Sequence, residues 1–466
     1  MKKLFLCLCP ILMFGYTIDF QSSLAKTIEL NKGLQAKKLS VDDAQLDVDI
    51  AKGYNYGSLV FNENISRTNN AGYVFGMKLS SREADFGAFG FSEFLTPLGQ
   101  AIRGAASGNQ PADMSGLLQV QPKDLNHPES RTNYETKVKY EVPLFTGFKL
   151  QNAKKMAKLQ ILAKTAQYNY DEKALGLEVL QAYNGAVAAK EFIKASQKAK
   201  KATTSFVEYA HELYKEGLVT QIDVKQAKVY DMDVDASIIE STNRYELALA
   251  YLRFLTTDEK ISDVGTFHTI QNEMINIEQL QKKAQEKRED FTAMKYNTQT
   301  MKAKVEMEKA DYFPTIGAQI EYGYNDDQFN NIDSEHDYYM GAIGLSYNLF
   351  DGFITTSKKE KAKIEYKKTK YYYDYMKDGI KLEVKKNLLT LKAKQKILKQ
   401  KIKANNLSDE VLEQSQELYK NHLINMNNLL MQQANQQKAN AEMILAKYEA
   451  SLAAGKLKVS LGESLK

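Results

Sequence analysis

In the stretch NYETKVKYEV, Tyr134, Thr136, Val138, Tyr140 and Val142 alternate with Asn133, Glu135, Lys137, Lys139 and Glu141. In YYMGAIGLSYNL, Tyr339, Gly341, Ile343, Leu345, Tyr347 and Leu349 alternate in the same way with Tyr338, Met340, Ala342, Gly344, Ser346 and Asn348. A period of two with one apolar face predicts strands, over about 132–145 and 337–350. Each has an upstream partner. TIGAQIEYGY predicts a strand over about 315–325, joined to the next by a short polar link that suits a hairpin loop, and a weaker alternation predicts one over about 54–66. The link in the first pair is a much longer Gly-, Ser- and Asn-rich segment, from about Arg67 to Arg131, read as a loop.

Downstream of each hairpin the period changes. From about Leu150 to Lys215 there is no proline and only Gly176 and Gly185; from about Thr355 to Lys420 only Gly379 interrupts. As helix, each stretch spans about 100 Å. Return helices are predicted from about Asp223 to Leu255 and from about Asn428 to Val459. Their seams, Val234, Ile238, Ser241, Tyr245, Ala248, Leu252, Leu255 and Ala439, Met443, Ala446, Ala450, Ala453, Leu457, Ser460, keep coiled-coil spacings of four and three. Many of these knobs are small, which lets helices approach closely in a thin wall.

Both halves write the same turn where strand hands over to helix: VPLFTGF, with Pro143, Phe145 and Gly147, and YNLFDGF, with Phe350 and Gly352. Glycine at 147 and 352 allows a bend without a Cβ penalty. A shift of 205 positions keeps this register without a gap, placing Tyr134 on Tyr339, Tyr170 on Tyr375, Leu177-Glu178-Val179 on Leu382-Glu383-Val384 and Glu212-Leu213-Tyr214-Lys215 on Glu417-Leu418-Tyr419-Lys420. The chain therefore reads as two copies of one unit, 26–257 and 258–466, each with helix, strand pair and long helical hairpin.

The first residues carry Lys2 and Lys3, an apolar run from Leu4 to Tyr16 and the small-x-small pattern Ser23-Leu24-Ala25, which reads as a secretory signal peptide over 1–25. Both cysteines, Cys7 and Cys9, lie in that run, so the expected mature chain has neither disulfides nor thiolate metal sites. No later apolar run approaches the roughly 20 residues of a membrane-spanning helix. The net charge of +5 comes from Lys and Glu interleaved along helices. It lacks the concentrated basic face with stacking aromatics that nucleic acid requires. The five histidines, His127, His211, His268, His336 and His422, are scattered, with no metal-ligand spacing or triad arrangement, so no catalytic, metal or cofactor site is expected.

A small soluble β-sandwich would explain one apolar strand face. Against it stand the charges on the opposite face, the tyrosines near strand ends (Tyr54, Tyr56, Tyr134, Tyr322, Tyr324, Tyr338, Tyr347) and the leader, which together fit a transmembrane β-barrel. Four strands cannot close one, and open edges cannot lie in lipid. Two copies make a barrel barely wide enough for its own side chains; three make twelve strands and leave a channel.

Across essentially the whole mature chain the sequence resembles the TolC-like outer membrane factors of Gram-negative bacteria. The resemblance is carried by DLNHPESRTNYETKVKYEVPLFTGF (Asp124 to Phe148), by ELYKEGLVTQIDVKQAKVYD (Glu212 to Asp231) and by the ungapped second copy. It implies an α+β membrane protein in which each chain gives four strands to a trimeric twelve-stranded barrel and coiled-coil helices to a periplasmic α-barrel. It further implies a passive exit duct for small-molecule efflux or type I protein secretion, with a periplasmic adaptor (membrane fusion protein) and an inner-membrane pump of RND or ABC type as partners. YKEGLVTQIDV matches the family's tip pattern at Gly217, Leu218, Val219 and Asp223, where the adaptor is expected to dock. The second tip, YKNHLINMNNLLM, departs from it: His422 replaces the glycine, Leu423 follows, Asn428 replaces the aspartate and Met431 stands where relatives can carry an acid. An acid ring that binds cations is therefore not supported there. Asn421, Asn425, Asn427 and Asn428 either hydrogen-bond across a closed tip or form a wet loop. The first helix before the tunnel is expected to be short, about Thr27 to Lys52, with the equatorial belt reduced or supplied by Ile261 to Gln281. The competing reading is a structural periplasmic coiled coil or surface adhesin.

Overall fold

The computed structural model describes residues 15–108, 114–271, 276–329, 331 and 333–465. Met1 to Phe14, with Cys7 and Cys9, lie outside them. In chain order the elements are β1 (Tyr16–Ile18), α1 (Phe20–Leu30), α2 (Lys32–Gly53), β2 (Ser58–Thr68), α3 (Ala71–Ser80), α4 (Phe91–Ala106), α5 (Lys123–Asn126), β3 (Arg131–Thr146), α6 (Lys149–Lys215), α7 (Gln221–Thr256), β4 (Ile261–Val264), α8 (Ile277–Lys287), α9 (Glu289–Met307), β5 (Thr315–Asp326), β6 (Asp337–Ser346), α10 (Ile354–Lys420) and α11 (Met426–Ser460). Helices α6 and α10 are each 67 residues long, and both of their ends are offset by the shift that aligns the two sequence copies. Among the described residues, no helix is long and apolar enough to cross a membrane.

The chain divides into two compact units. One comprises residues 47–157 and 302–363 and is built on a four-stranded antiparallel sheet of order β2-β3-β5-β6. The register places Leu59, Tyr140, Ile320 and Gly341 in one cross-strand row and Phe61, Val138, Tyr322 and Tyr339 in the next. These rows carry the predicted apolar face, and their large side chains are exposed. Two sequence-predicted strand limits shift. Tyr54 and Tyr56 belong to the turn after α2, and β2 starts only after Gly57, where glycine is required because φ is +73° and a Cβ would lie 2.0 Å from the Glu141 carbonyl oxygen. Strand β6 ends at Ser346, leaving Tyr347 to Phe350 outside the ladder. The segment between β2 and β3, expected as a plain loop, folds into α3, α4 and α5.

The other unit comprises the described residues of 15–46, 158–301 and 364–465. Its largest core joins α1, the middle of α6, the end of α7 and β4, with Phe20, Leu24, Leu180, Tyr183, Leu252 and Ile261 almost completely buried. A second core joins α8, α9, α10 and α11 through Leu280, Phe291, Val384 and Leu457. The predicted seams of both return helices are buried or half-buried throughout.

The leader limit expected after Ala25 falls inside α1. Tyr16 to Ile18 pair in parallel with Ile261 to Val264, and the Phe20 ring stacks on His268 with centroids 4.2 Å apart. Asp19 caps α1 by accepting from the Ser22 amide at 2.7 Å. Two helices, α1 and α2, therefore stand where one short helix from Thr27 was expected. An apolar, small-residue stretch satisfies the pattern of a leader and that of a buried helix alike.

Candidate functional site

Two features concentrate chemistry, one in each unit. The first is the sheet with its strand-to-helix turns. Opposite the apolar rows, the same strands present Lys137, Glu135 and Glu321: Lys137 lies 2.9 Å from Glu135 and 3.8 Å from Glu321. Tyr338 donates to Glu321 at 3.0 Å and to Glu135 at 3.2 Å, and Asn64 donates to Glu135 at 2.9 Å. One face is thus apolar and the other a paired polar lining. Strands β2 and β6 are the two edges of this sheet.

Both turns bend through consecutive left-handed residues, Gly147 (φ 60°) with Phe148 (φ 67°) and Gly352 (φ 65°) with Phe353 (φ 66°). A bulky residue with positive φ is strained, and in each turn an edge-to-face aromatic pair accompanies it, Phe145 on Phe148 at 5.3 Å and Phe350 on Phe353 at 5.6 Å. Pro143 sits at the irregularity of β3 between Pro143 and Phe145, where a missing N–H does least harm to the ladder. The sequence pointed to the glycines; the strained phenylalanines were not foreseen.

The second feature is the pair of helix reversals. Both close with the same hydrogen bonds: Leu218 N–H to the Leu213 carbonyl at 2.9 Å around Gly217 (φ 74°), and Leu423 N–H to the Leu418 carbonyl at 2.9 Å around His422 (φ 59°). This is the Schellman ending, which favours glycine at the left-handed position. The restarts differ. Thr220 and Asp223 form a reciprocal capping box at the start of α7, whereas Asn425 accepts from the Asn428 amide at 2.9 Å without a return bond. Asn421 donates to the Glu417 carbonyl at 2.8 Å. Asn421 and Asn425 are thus used within their own hairpin.

A core of Ala210, Leu213, Val224, Ala227, Tyr419, Met426, Leu429 and Leu430 holds the two reversals together. Tyr209 meets Tyr419 edge-on at 5.7 Å, and Tyr230 donates to Gln437 at 2.9 Å. Burial pushes both the Tyr230 and Tyr419 hydroxyls up to about 12, so both stay neutral; the buried Tyr419 hydroxyl has no hydrogen-bond partner among the described residues. Leu218, Leu423 and Met431 are exposed, Asp223 is partly so, and Val219 is half-buried against the tip core. Between α7 and α11 runs an open groove of about 550 Å³ lined by Ile222, Val229, Tyr230, Leu430 and Met431. Of these, Met431 was singled out from the sequence. Ile222 and Val229, seven positions apart, carry a heptad signal in the sequence.

The model of the outer membrane efflux protein family matches residues 104–257 and 280–463. No curated protein matches the sequence. Among solved structures, CusC, described for the conformational changes accompanying folding and transmembrane channel formation, aligns over 97% of this chain and 94% of its own at 12% identity and TM-score 0.77. The Campylobacter jejuni CmeC outer membrane channel aligns over 96% and 87% at 12% identity and TM-score 0.75. The open-state Neisseria gonorrhoeae MtrE outer membrane channel aligns over 96% and 89% at 15% identity and TM-score 0.74. At such identities the likeness is one of fold.

Proposed function

This chain belongs to the outer membrane efflux protein family, and from that premise we propose that it is the passive exit duct of a tripartite export system for small molecules or secreted proteins. The observation that carries the reading is the open sheet with one apolar face, one polar face and two unpaired edges. Backbone groups left unpaired in lipid cost several kcal/mol each, so edge β2 of one copy must pair with edge β6 of the next. Three copies close a twelve-stranded barrel with the Lys137, Glu135 and Glu321 face toward water, continued by a periplasmic tunnel of α6, α7, α10 and α11. The internal repeat lets six similar hairpins form a ring of near-equivalent tips. A periplasmic adaptor docks on these tips through Leu218, Leu423 and the apolar groove at Ile222 and Met431, and an inner-membrane pump of RND or ABC type supplies the energy.

A structural rod or adhesin would have no use for a charged sheet face opposite an apolar one. The test is a single cysteine at the exposed tip, Leu218→Cys, carrying a photo-cross-linker in living cells. Capture of a periplasmic adaptor supports the duct, and the pump that adaptor serves separates efflux from secretion. A fully labelled tip that captures no periplasmic protein overturns the docking assignment.

A further inference from the structure

The ends of the strands near Thr146, Thr315 and Ser346 carry an unusual concentration of lysine. Lys149 and Lys358 share one carboxylate, that of Asp311, at 3.9 and 3.7 Å. Lys359 donates to the Tyr312 hydroxyl at 3.3 Å and stands 5.0 Å from the centre of that ring. Two cations thus share a single acid, and a third stands on the neighbouring tyrosine. Among the described residues, exposed Lys155 and Lys361 on the same helix starts have no ion pair, and no acid follows Lys149 until Asp171. Neither α6 nor α10 has an acid in its first turn. Cations are disfavoured at the positive end of a helix, so these lysines do not serve the helices that carry them. Asp351, the acid at the start of α10, is occupied by the Thr355 amide at 2.7 Å, so an external anion would supply the compensation that these lysines lack.

The surroundings say which anion. Phe148, Phe313, Phe350 and Phe353 are about half exposed or more beside the lysines, and Leu349 is almost fully exposed. Aromatics next to lysines at the end of an apolar strand band mark a membrane–water interface. Charge complementarity and continuity with the apolar rows select a lipid carrying a net negative headgroup.

We propose that Lys149, Lys358 and Lys359, with Tyr312, form a binding surface for anionic phospholipid headgroups at the periplasmic rim of the barrel. It rests on the outer-membrane duct reading above. The ammonium groups contact the lipid phosphate while the acyl chains lie along the exposed phenylalanines. Because the turn is written twice per chain, both α6 and α10 deliver lysines to the same patch.

The test titrates the purified full-length oligomer in zwitterionic detergent with phosphatidylglycerol or phosphatidylcholine and counts bound lipid by native mass spectrometry. Phosphatidylglycerol should bind on the order of tenfold more tightly, since each lysine near an anionic surface contributes appreciably, and the preference should fall away in high salt. The triple variant Lys149→Gln, Lys358→Gln, Lys359→Gln should lose it. A charge-matched control elsewhere, Lys201→Gln, Lys228→Gln, Lys399→Gln, should keep it. Equal binding of both lipids by the native protein, or an undiminished preference in the rim variant, overturns the proposal. Insertion into vesicles is scored separately: a native protein that never inserts overturns the duct reading and this one with it, whereas insertion without lipid preference overturns this one alone.

Discussion

Gly147 and Gly352 occupy the same place in the two copies and the same left-handed backbone, yet their surroundings differ in a way that can be measured. A Cβ added at Gly352 meets nothing within 4 Å, so Gly352→Ala pays for the backbone alone, about 1–2 kcal/mol. A Cβ added at Gly147 lies 2.3 Å from the Ala310 carbonyl oxygen and 3.0 Å from the Phe313 Cβ. The oxygen belongs to backbone and cannot swing away, so Gly147→Ala adds an overpacking cost of about 1–3 kcal/mol. The turn cannot escape by moving one residue on, because Phe148 and Phe353 are already left-handed. The expected losses are therefore about 1–2 kcal/mol for Gly352→Ala and about 2–5 kcal/mol for Gly147→Ala, read as denaturant midpoints of the protein in micelles. Larger β-branched replacements at either site should lower assembled yield in membranes. Equal losses for the two alanine variants, or a larger loss at Gly352, would refute the assignment of the difference to Ala310.

Three further outcomes follow from other sites. Burial raises the Asp258 carboxyl, but Lys26, the Tyr16 hydroxyl and the Lys260 amide outweigh it and hold it at about 2. A carboxyl whose folded value is depressed contributes above its unfolded value and loses that contribution as pH falls from about 4 to about 2. The Asp258→Asn variant should thus show a shallower acid transition in that window, by about 1–2 kcal/mol, and an unchanged acid profile would count against it. At the second tip, His422→Gly should relieve the left-handed strain by roughly 1 kcal/mol and slow hydrogen exchange at the Leu423 amide; faster exchange there would contradict the account. Finally, removal of everything through Ala25 should be far more damaging than Phe20→Ala, itself expected to cost about 3–5 kcal/mol, because it also deletes β1 and Leu24. N-terminal sequencing of the outer-membrane protein should accordingly find a start before Tyr16, and a start at Lys26 would refute this.

How far each of these features could be read in advance follows from the range over which its cause acts. The long helices could be placed to within a residue or two at most ends, because their limits are set locally by Gly217, by Thr220 with Asp223, and by the turns at Gly147 and Gly352. The phase of the strands was legible for the same reason: a one-residue slip would carry Val138 and Tyr140 to the charged face. What stayed hidden depends on contacts between distant residues. Tyr16 to Ile18 become a strand only because Ile261 to Val264 lie beside them, and Gly57 is needed only because the Glu141 carbonyl comes so close. The asymmetry between Gly147 and Gly352 is of the same kind, since Ala310 crowds one and nothing crowds the other. Two turns that share the Leu-Phe-x-Gly-Phe core are thus two different sites in energy. The repeat specifies the path of the chain twice, and the neighbours decide how much each copy can tolerate.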